Sequence, residues 1–198
     1  MIYDTPGIAV SGGEPTLNRR WLIELFKTLR KMNPDTRLHL DSNGTILTEE
    51  YVDELVEAGC DNIGVEPKAG RLETYMKITG ITDKEQARKF FENSWRILEY
   101  IVSNYSEKVY VGAGFAYNSA WMTLEEVAEI GDKIASINPE LQVTVLDYFP
   151  TFRRRFIKRP TPREMLKVKT ILEERGLKTV IVQTSIGHIG PGDKKTKY

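Results

Sequence analysis

At 198 residues the chain is long enough to bury one sizeable core as a single domain. Lys plus Arg and Asp plus Glu number 28 each, so the net charge is zero, which excludes the long-range attraction to nucleic acid or an anionic membrane that a strongly basic chain has. A hydrophobic share of 40% is ordinary for a globular protein, no apolar run spans a bilayer, and the N-terminus lacks signal-peptide order, so a cytoplasmic protein is expected.

The chain opens into short apolar runs that alternate with amphipathic stretches, the pattern of repeated βα units with a parallel sheet. Strands are predicted at Ile8–Ser11, Arg37–Asp41, Asn62–Glu66, Val109–Phe115, Gln142–Asp147 and Thr179–Gln183. Most are rich in Val and Ile without alternation, as expected when both faces are covered. The first helix carries Trp21, Leu22, Leu25, Phe26, Leu29 and Met32 at the spacing of one buried stripe. The second starts at Thr48-Glu49-Glu50, stops before Gly59 and turns Val52, Leu55 and Val56 inward. Past it lies the only cysteine, Cys60, at an expected helix-to-strand turn; one thiol excludes an intrachain disulfide or an all-cysteine metal cage, and a small buried side chain is the expectation.

The third helix runs from about Lys84 to Tyr105 with Phe90, Phe91, Ile97, Leu98, Ile101 and Val102 inward. Capping boxes open the fourth at Thr123-Leu124-Glu125-Glu126 and the fifth at Thr161-Pro162-Arg163-Glu164, which Gly176 closes. Strict alternation fits a β/α barrel or an open doubly wound sheet, and periodicity does not choose between them. Residues 1–190 read as one β/α domain and 191–198, rich in Gly and Lys, as a disordered tail.

In parallel β/α folds ligands gather at the carboxyl ends of the strands. Those ends carry Gly12-Gly13-Glu14-Pro15, Asp41-Ser42-Asn43-Gly44, Glu66-Pro67-Lys68 and Asp147-Tyr148. Each has a bland reading as turn chemistry, but three successive ends each bear a carboxylate. Paired glycines let backbone approach a ligand; Glu14 suits a cationic amine; Asp41 and Glu66 suit a shared cation or a ligand's hydroxyl and ammonium groups; Lys68 suits a carboxylate. The mixed charge fits a zwitterionic ligand. An unrelated β/α enzyme holding a divalent metal on Glu14, Asp41 and Glu66 is the rival reading.

The order of these motifs resembles the radical S-adenosylmethionine (SAM) superfamily, in particular the enzymes that activate glycyl radical enzymes, typified by the pyruvate formate-lyase activating enzyme. That group has G-G-E-P, D-T-N-G and D-x-K at successive strand ends and K-L-T-G before a long helix. Here Gly12-Gly13-Glu14-Pro15 is identical, Asp41-Ser42-Asn43-Gly44 has Ser for Thr, Glu66-Pro67-Lys68 has Glu for Asp, and Lys77-Ile78-Thr79-Gly80 follows. The similarity covers Ile8 to about Ala135. It implies an α/β fold, a partial (β/α) barrel of the radical SAM type with its first βα unit missing.

The resemblance further implies that Gly12, Gly13 and Glu14 contact the methionyl amine of SAM, with Pro15 shaping the loop. It implies that Asp41, Ser42 and Glu66 hold a monovalent cation beside the SAM carboxylate, with Asn43 in the same loop, and that Lys68 orients that carboxylate. The family holds a [4Fe-4S] cluster on C-x3-C-x2-C, upstream of the glycines, and uses it to cleave SAM to a 5′-deoxyadenosyl radical. Only eleven residues precede Gly12 and none is Cys, so the cluster is expected only if upstream cysteines are restored. The chain is read as a fragment of a full enzyme, with a split protein or a degenerate homologue as the alternatives. Taken alone it is expected to be inactive, a SAM-binding or partner-binding barrel fragment.

Two further features stand apart. Arg153-Arg154-Arg155-Phe156-Ile157-Lys158-Arg159 is the one strong charge run, and Tyr148, Phe149, Phe152 and Phe156 lie in or near it. A solvated loop with its aromatics packed beneath is favoured over a grip on RNA. His39, between Leu38 and Leu40, reads as a hydrogen-bonded core residue, and His188 as a loop residue; so distant a pair makes no zinc site. A glycyl radical protein is the partner that the resemblance implies.

Overall fold

The computed structural model describes residues 6–150, 154–193 and 195–196. Two compact units divide them, one of residues 6–66 and 92–111, the other of residues 67–91 and the described part of 112–196.

The first unit contains β1 (Gly7–Val10), α1 (Arg19–Met32), β2 (Arg37–Ser42), α2 (Glu49–Glu57) and β3 (Asn62–Val65), with the later turns of α4 (Lys84–Tyr105) and the start of β4 (Tyr110–Tyr117). The strands are parallel and in sequence order: Val10 stands opposite Leu40, and Asp41 opposite Gly64. Side chains alternate between the faces of a strand. Leu38, Leu40, Ile63 and Val65 are therefore buried together, while His39, Asp41, Asn62 and Gly64 share the other, less buried face. The expected absence of alternation is thus corrected, because only one face is sealed by apolar packing and the other carries polar or small side chains.

Side-chain caps start the first two helices, the second at the Thr48 read from the sequence. Asn18 caps α1 by accepting from Trp21 N at 3.1 Å, and Thr48 caps α2 by accepting from Tyr51 N at 3.2 Å. On α1, Leu22, Ile23 and Phe26 are buried, each large side chain contributing about 1.5–3 kcal/mol. Trp21 and Met32, expected inward, are exposed. At about 100° per residue the stripe centred on Leu22, Ile23 and Phe26 leaves both on its outer flank. Below the sheet Arg30 donates to the carbonyls of Pro34, Thr36 and Gly59 and pairs with Asp61 at 2.7 Å, tying the α1–β2 and α2–β3 turns together. Cys60 is buried as expected, and burial pushes its thiol up to about 12.

The second unit contains α3 (Leu72–Thr79), the first turns of α4, most of β4, then α5 (Leu124–Ile137), β5 (Gln142–Asp147), α6 (Pro162–Glu174), β6 (Thr179–Thr184), β7 (Gly187–Ile189) and β8 (Lys195–Thr196). Pairing is parallel from β4 through β6 and antiparallel from β6 through β8. His188 lies in β7, opposite Gln183, rather than in a loop. In the tail, Pro191–Asp193 makes a 3-10 turn and Lys195–Thr196 pairs with β7.

Thr161 and Glu164 form the full capping box of α6. At α5 only half of the expected box forms. Thr123 accepts from Glu126 N, but the buried Glu126 carboxylate turns away, accepting from Gly70 N at 3.1 Å, Arg71 N at 3.0 Å and Thr74 Oγ1 at 2.6 Å. Those donors open α3, a helix too short to show periodicity in the sequence. A distant carboxylate thus supplies its cap.

Candidate functional site

The rim of the first unit is built by a turn that glycine alone adopts without strain. After β1, Gly12 and Gly13 have φ of 90° and 56°, and a Cβ on either would meet nothing within 4 Å among the described residues. The constraint is conformational, and the space above the turn stays open. Glu14 then caps a 3-10 turn at Pro15–Leu17, where Pro15 has no N–H to leave unpaired.

Glu14 is the hub. Its Oε1 accepts from Thr16 N at 3.2 Å, Thr16 Oγ1 at 2.5 Å and Ser42 Oγ at 2.8 Å, and its Oε2 accepts from Asn43 N at 2.8 Å. All four donors are neutral, so the carboxylate is fixed in position while its charge keeps no cationic partner among these contacts. Ser42 Oγ also accepts from Gly44 N at 3.0 Å, and Asn43 Oδ1 accepts from Thr45 N and Thr45 Oγ1. Gly44 has φ of 72°, and a Cβ there would lie 3.2 Å from both Ser94 Cα and Val65 Cγ1. From α4, Asn93 Nδ2 donates to the carbonyls of Gly44 at 2.8 Å and Leu47 at 2.9 Å, clamping this loop.

Asp41 belongs to a second cluster. Its Oδ1 lies 2.8 Å from His39 Nε2, and His39 Nδ1 lies 2.7 Å from Asn62 Oδ1. The Asp41 hydrogen bond raises the His39 pKa above the usual histidine value, and the same bond holds the Asp41 carboxyl below the usual carboxylate range. His39 is therefore hydrogen-bonded as expected but stands on the less buried face, not in the core. The predicted residues are divided accordingly: Gly12, Gly13, Glu14, Pro15, Ser42 and Asn43 form one constellation, while Asp41 joins His39 and Asn62. Glu66 continues the β2–β3 ladder through its N–H to Ser42 O at 2.9 Å, and Lys68 lies half-buried at the start of the second unit. Among the described residues no three His, Cys, Asp or Glu gather as a metal would require.

Thr16, His39 and Asn62 were missed by sequence reasoning. Thr16 is reached only by the Glu14 side chain folding back over its own turn. His39 carried a usable signal, its i, i+2 spacing to Asp41, which puts both on one strand face.

At the end of β5 in the second unit, the fully buried Asp147 carboxylate accepts from Arg159 Nε at 2.6 Å and Nη2 at 3.2 Å. Arg154 donates to Lys77 O at 2.6 Å and lies over the Trp121 ring at 5.5 Å, while Lys158 O accepts from Asn118 at 2.9 Å. The basic run is thus pinned by its own unit. Phe149 and Phe156 are exposed rather than packed beneath it, since the pinning runs through the arginines instead. Phe152 and Arg153 lie outside the described residues. No helix is long and apolar enough to cross a membrane among the described residues.

Over 80 residues the chain is 39% identical to a probable GTP 3',8-cyclase of Methanococcus aeolicus, a match covering 39% of this chain and 26% of that protein. The chain thus spans about a quarter of the length of the curated relatives it matches. A domain of a pyruvate-formate lyase-activating enzyme from Bacteroides vulgatus superposes with a TM-score of 0.69 at 15% identity, covering 89% of this chain and 98% of that one. Coproporphyrinogen III oxidase from Escherichia coli, a radical SAM enzyme, superposes with a TM-score of 0.64 at 21% identity, covering 96% of this chain and 44% of that one. At these identities the structures establish the fold class alone, the α/β partial barrel expected from the motifs. The model of the radical SAM superfamily matches residues 2–113, which include the whole glycine–carboxylate rim, and on that match this chain belongs to the radical SAM superfamily.

Proposed function

We propose that the chain binds SAM at the Gly12–Pro15 rim and forms the SAM-holding part of a radical SAM enzyme. One observation carries this reading: among the described residues the Glu14 carboxylate is anchored through neutral donors, next to a Gly-Gly turn with open space beside it. A carboxylate held in that way is ready for a ligand ammonium without first breaking an ion pair, and a charge-assisted contact is stronger than a neutral one. Gly12 and Gly13 leave the ligand room, and Ser42 and Asn43 keep Glu14 from swinging away. When bound, the sulfonium supplies a hydrogen-abstracting fragment on one-electron reduction; the residues of this chain orient it and keep its reacting end fixed.

An iron–sulfur cluster does not fit the residues present. Its ligands are thiolates, whereas the sole cysteine is buried, has its one S–H within reach of Asn62 O at 3.5 Å and Leu38 O at 3.6 Å, and has its pKa pushed up to about 12 by burial. Cluster thiolates have to come from outside these residues, from a C-x3-C-x2-C segment in the same polypeptide or in a partner. Membership of the superfamily sets aside the rival reading as an unrelated divalent-metal enzyme.

Calorimetry with SAM tests the proposal. Binding by the wild type that disappears in Glu14→Ala, with the fold intact by circular dichroism, is the expected result; a wild type that does not bind SAM overturns it. With the cysteine segment supplied, and after reconstitution and reduction, 5′-deoxyadenosine is the expected product. SAM binding without that product leaves a non-catalytic SAM-binding fragment.

For the molecule acted on, we infer a glycyl radical protein from the motif order. The 39% identity to a probable GTP 3',8-cyclase favours a second reading, a nucleotide substrate. Incubation of the reconstituted protein with each candidate separates them: a glycyl radical signal in the partner protein supports the first, and consumption of GTP supports the second.

A further inference from the structure

The monovalent cation implied at Asp41, Ser42 and Glu66 meets a geometry that turns two of its donors apart. Asp41 and Ser42 are consecutive on β2, so their side chains leave opposite faces, Asp41 exposed and Ser42 buried. Ser42 Oγ is engaged with Glu14 Oε1 at 2.8 Å.

Asp41 has instead a partner supplied by the chain. His39 Nε2 lies 2.8 Å from Asp41 Oδ1, and its other ring nitrogen is fixed 2.7 Å from Asn62 Oδ1, the residue in register with it on β3. Gly64, in register with Asp41, leaves the space that this arrangement occupies, since a Cβ there would come within 2.6 Å of Asp41 Oδ1. Four residues on one face of two strands, with the Ser11 side chain as a further hydrogen-bond partner of Asp41, thus build a seat for one carboxylate.

We propose that His39 is a positioning residue that holds the Asp41 carboxylate where a bound monovalent cation would otherwise hold it, so that ligand binding at this rim does not require Na⁺ or K⁺. The role holds in either protonation state. The imidazolium donates to both oxygens; the neutral ring keeps Nε2–H on Asp41 while the Asn62 amide turns to donate to Nδ1.

Two measurements test it, the second resting on the SAM reading and the first independent of it. Sodium-23 line widths with the wild type are expected to equal those with Asp41→Asn, and broadening present in the wild type but lost in that variant overturns the proposal. SAM affinity of the wild type is expected to be unchanged when NaCl or KCl gives way to choline chloride at constant ionic strength. His39→Ala is expected to lose about tenfold in affinity, the scale of one hydrogen bond to a charged group, and to become dependent on Na⁺ or K⁺, with His39→Gln restoring part of the loss. Cation-dependent wild-type binding, or a His39→Ala variant that binds as the wild type does, overturns the proposal. A wild type that binds no SAM at all removes the SAM reading and leaves the sodium measurement to decide this one.

Discussion

Two strand-end carboxylates are held in opposite ways. Glu14, after β1, accepts four hydrogen bonds from neutral donors, whereas Asp147, ending β5, is fully buried against the Arg159 guanidinium. A carboxylate neutralised inside the fold serves the fold, because any ligand cation has to displace a bidentate arginine first. One fixed by hydroxyls and peptide N–H groups has its geometry settled and its charge left over. The presence of a carboxylate at a strand end therefore says little; the charge of its donors separates a structural anchor from a ligand contact.

The comparison is broken most severely at Asp147. Arg159→Ala leaves a buried charge unpaired and is expected to cost about 3–5 kcal/mol in urea unfolding, with SAM affinity little changed in whatever protein remains folded. Replacing both partners by apolar residues of similar size, Asp147→Leu with Arg159→Met, is expected to recover most of that loss.

Gly44→Ala probes the loop that brings donors to Glu14. It forces a side chain into the left-handed region and against Ser94 and Val65, and a loss of about 1–2 kcal/mol by thermal unfolding is expected. Because Asn43 and Ser42 shift with that loop, SAM affinity should fall with stability here, unlike at Arg159. Glu14→Gln sharpens the contrast from the other side: the shape stays, one oxygen becomes a donor facing donors, and stability drops by about 1 kcal/mol while SAM affinity drops by at least about tenfold.

The smallest expected effect is on pH. The His39 pKa is raised, so its contribution is fully present below about 6.5 and fades as pH rises through the folded value. The Asp41 pKa is lowered, so its contribution is present above about 4 and fades as pH falls through the folded value. The stability difference between wild type and His39→Gln should therefore be largest between about pH 4 and 6.5 and stay below about 1 kcal/mol, since the pair is partly exposed to solvent. A difference independent of pH would show that the two groups do not interact as an ion pair.

Much of this was legible in the chain itself. The limits of β5, α4 and α6 follow from apolar runs and, for α6, its cap, to within a few residues, and the burial of Cys60 follows from the apolar character of a free thiol. The glycine–carboxylate motif was legible too, because a left-handed pair before a capping Glu is a local arrangement. Trp21 was misplaced because two apolar flanks on one helix share a periodicity, and α3 was missed because eight residues give the pattern too little length.

The sequence by itself determined the alternation of strands and helices, the superfamily motif and its position at the strand ends, because these rest on interactions between near neighbours. Only the tertiary structure decided that Glu14 is held from Ser42, 28 residues away, that Glu126 caps a helix more than fifty residues before it, and that Asp41 turns to His39 and away from Ser42. Which donors meet a carboxylate depends on strand register and on which face of the sheet each side chain takes, and both are fixed only when the strands pair and the apolar face is buried.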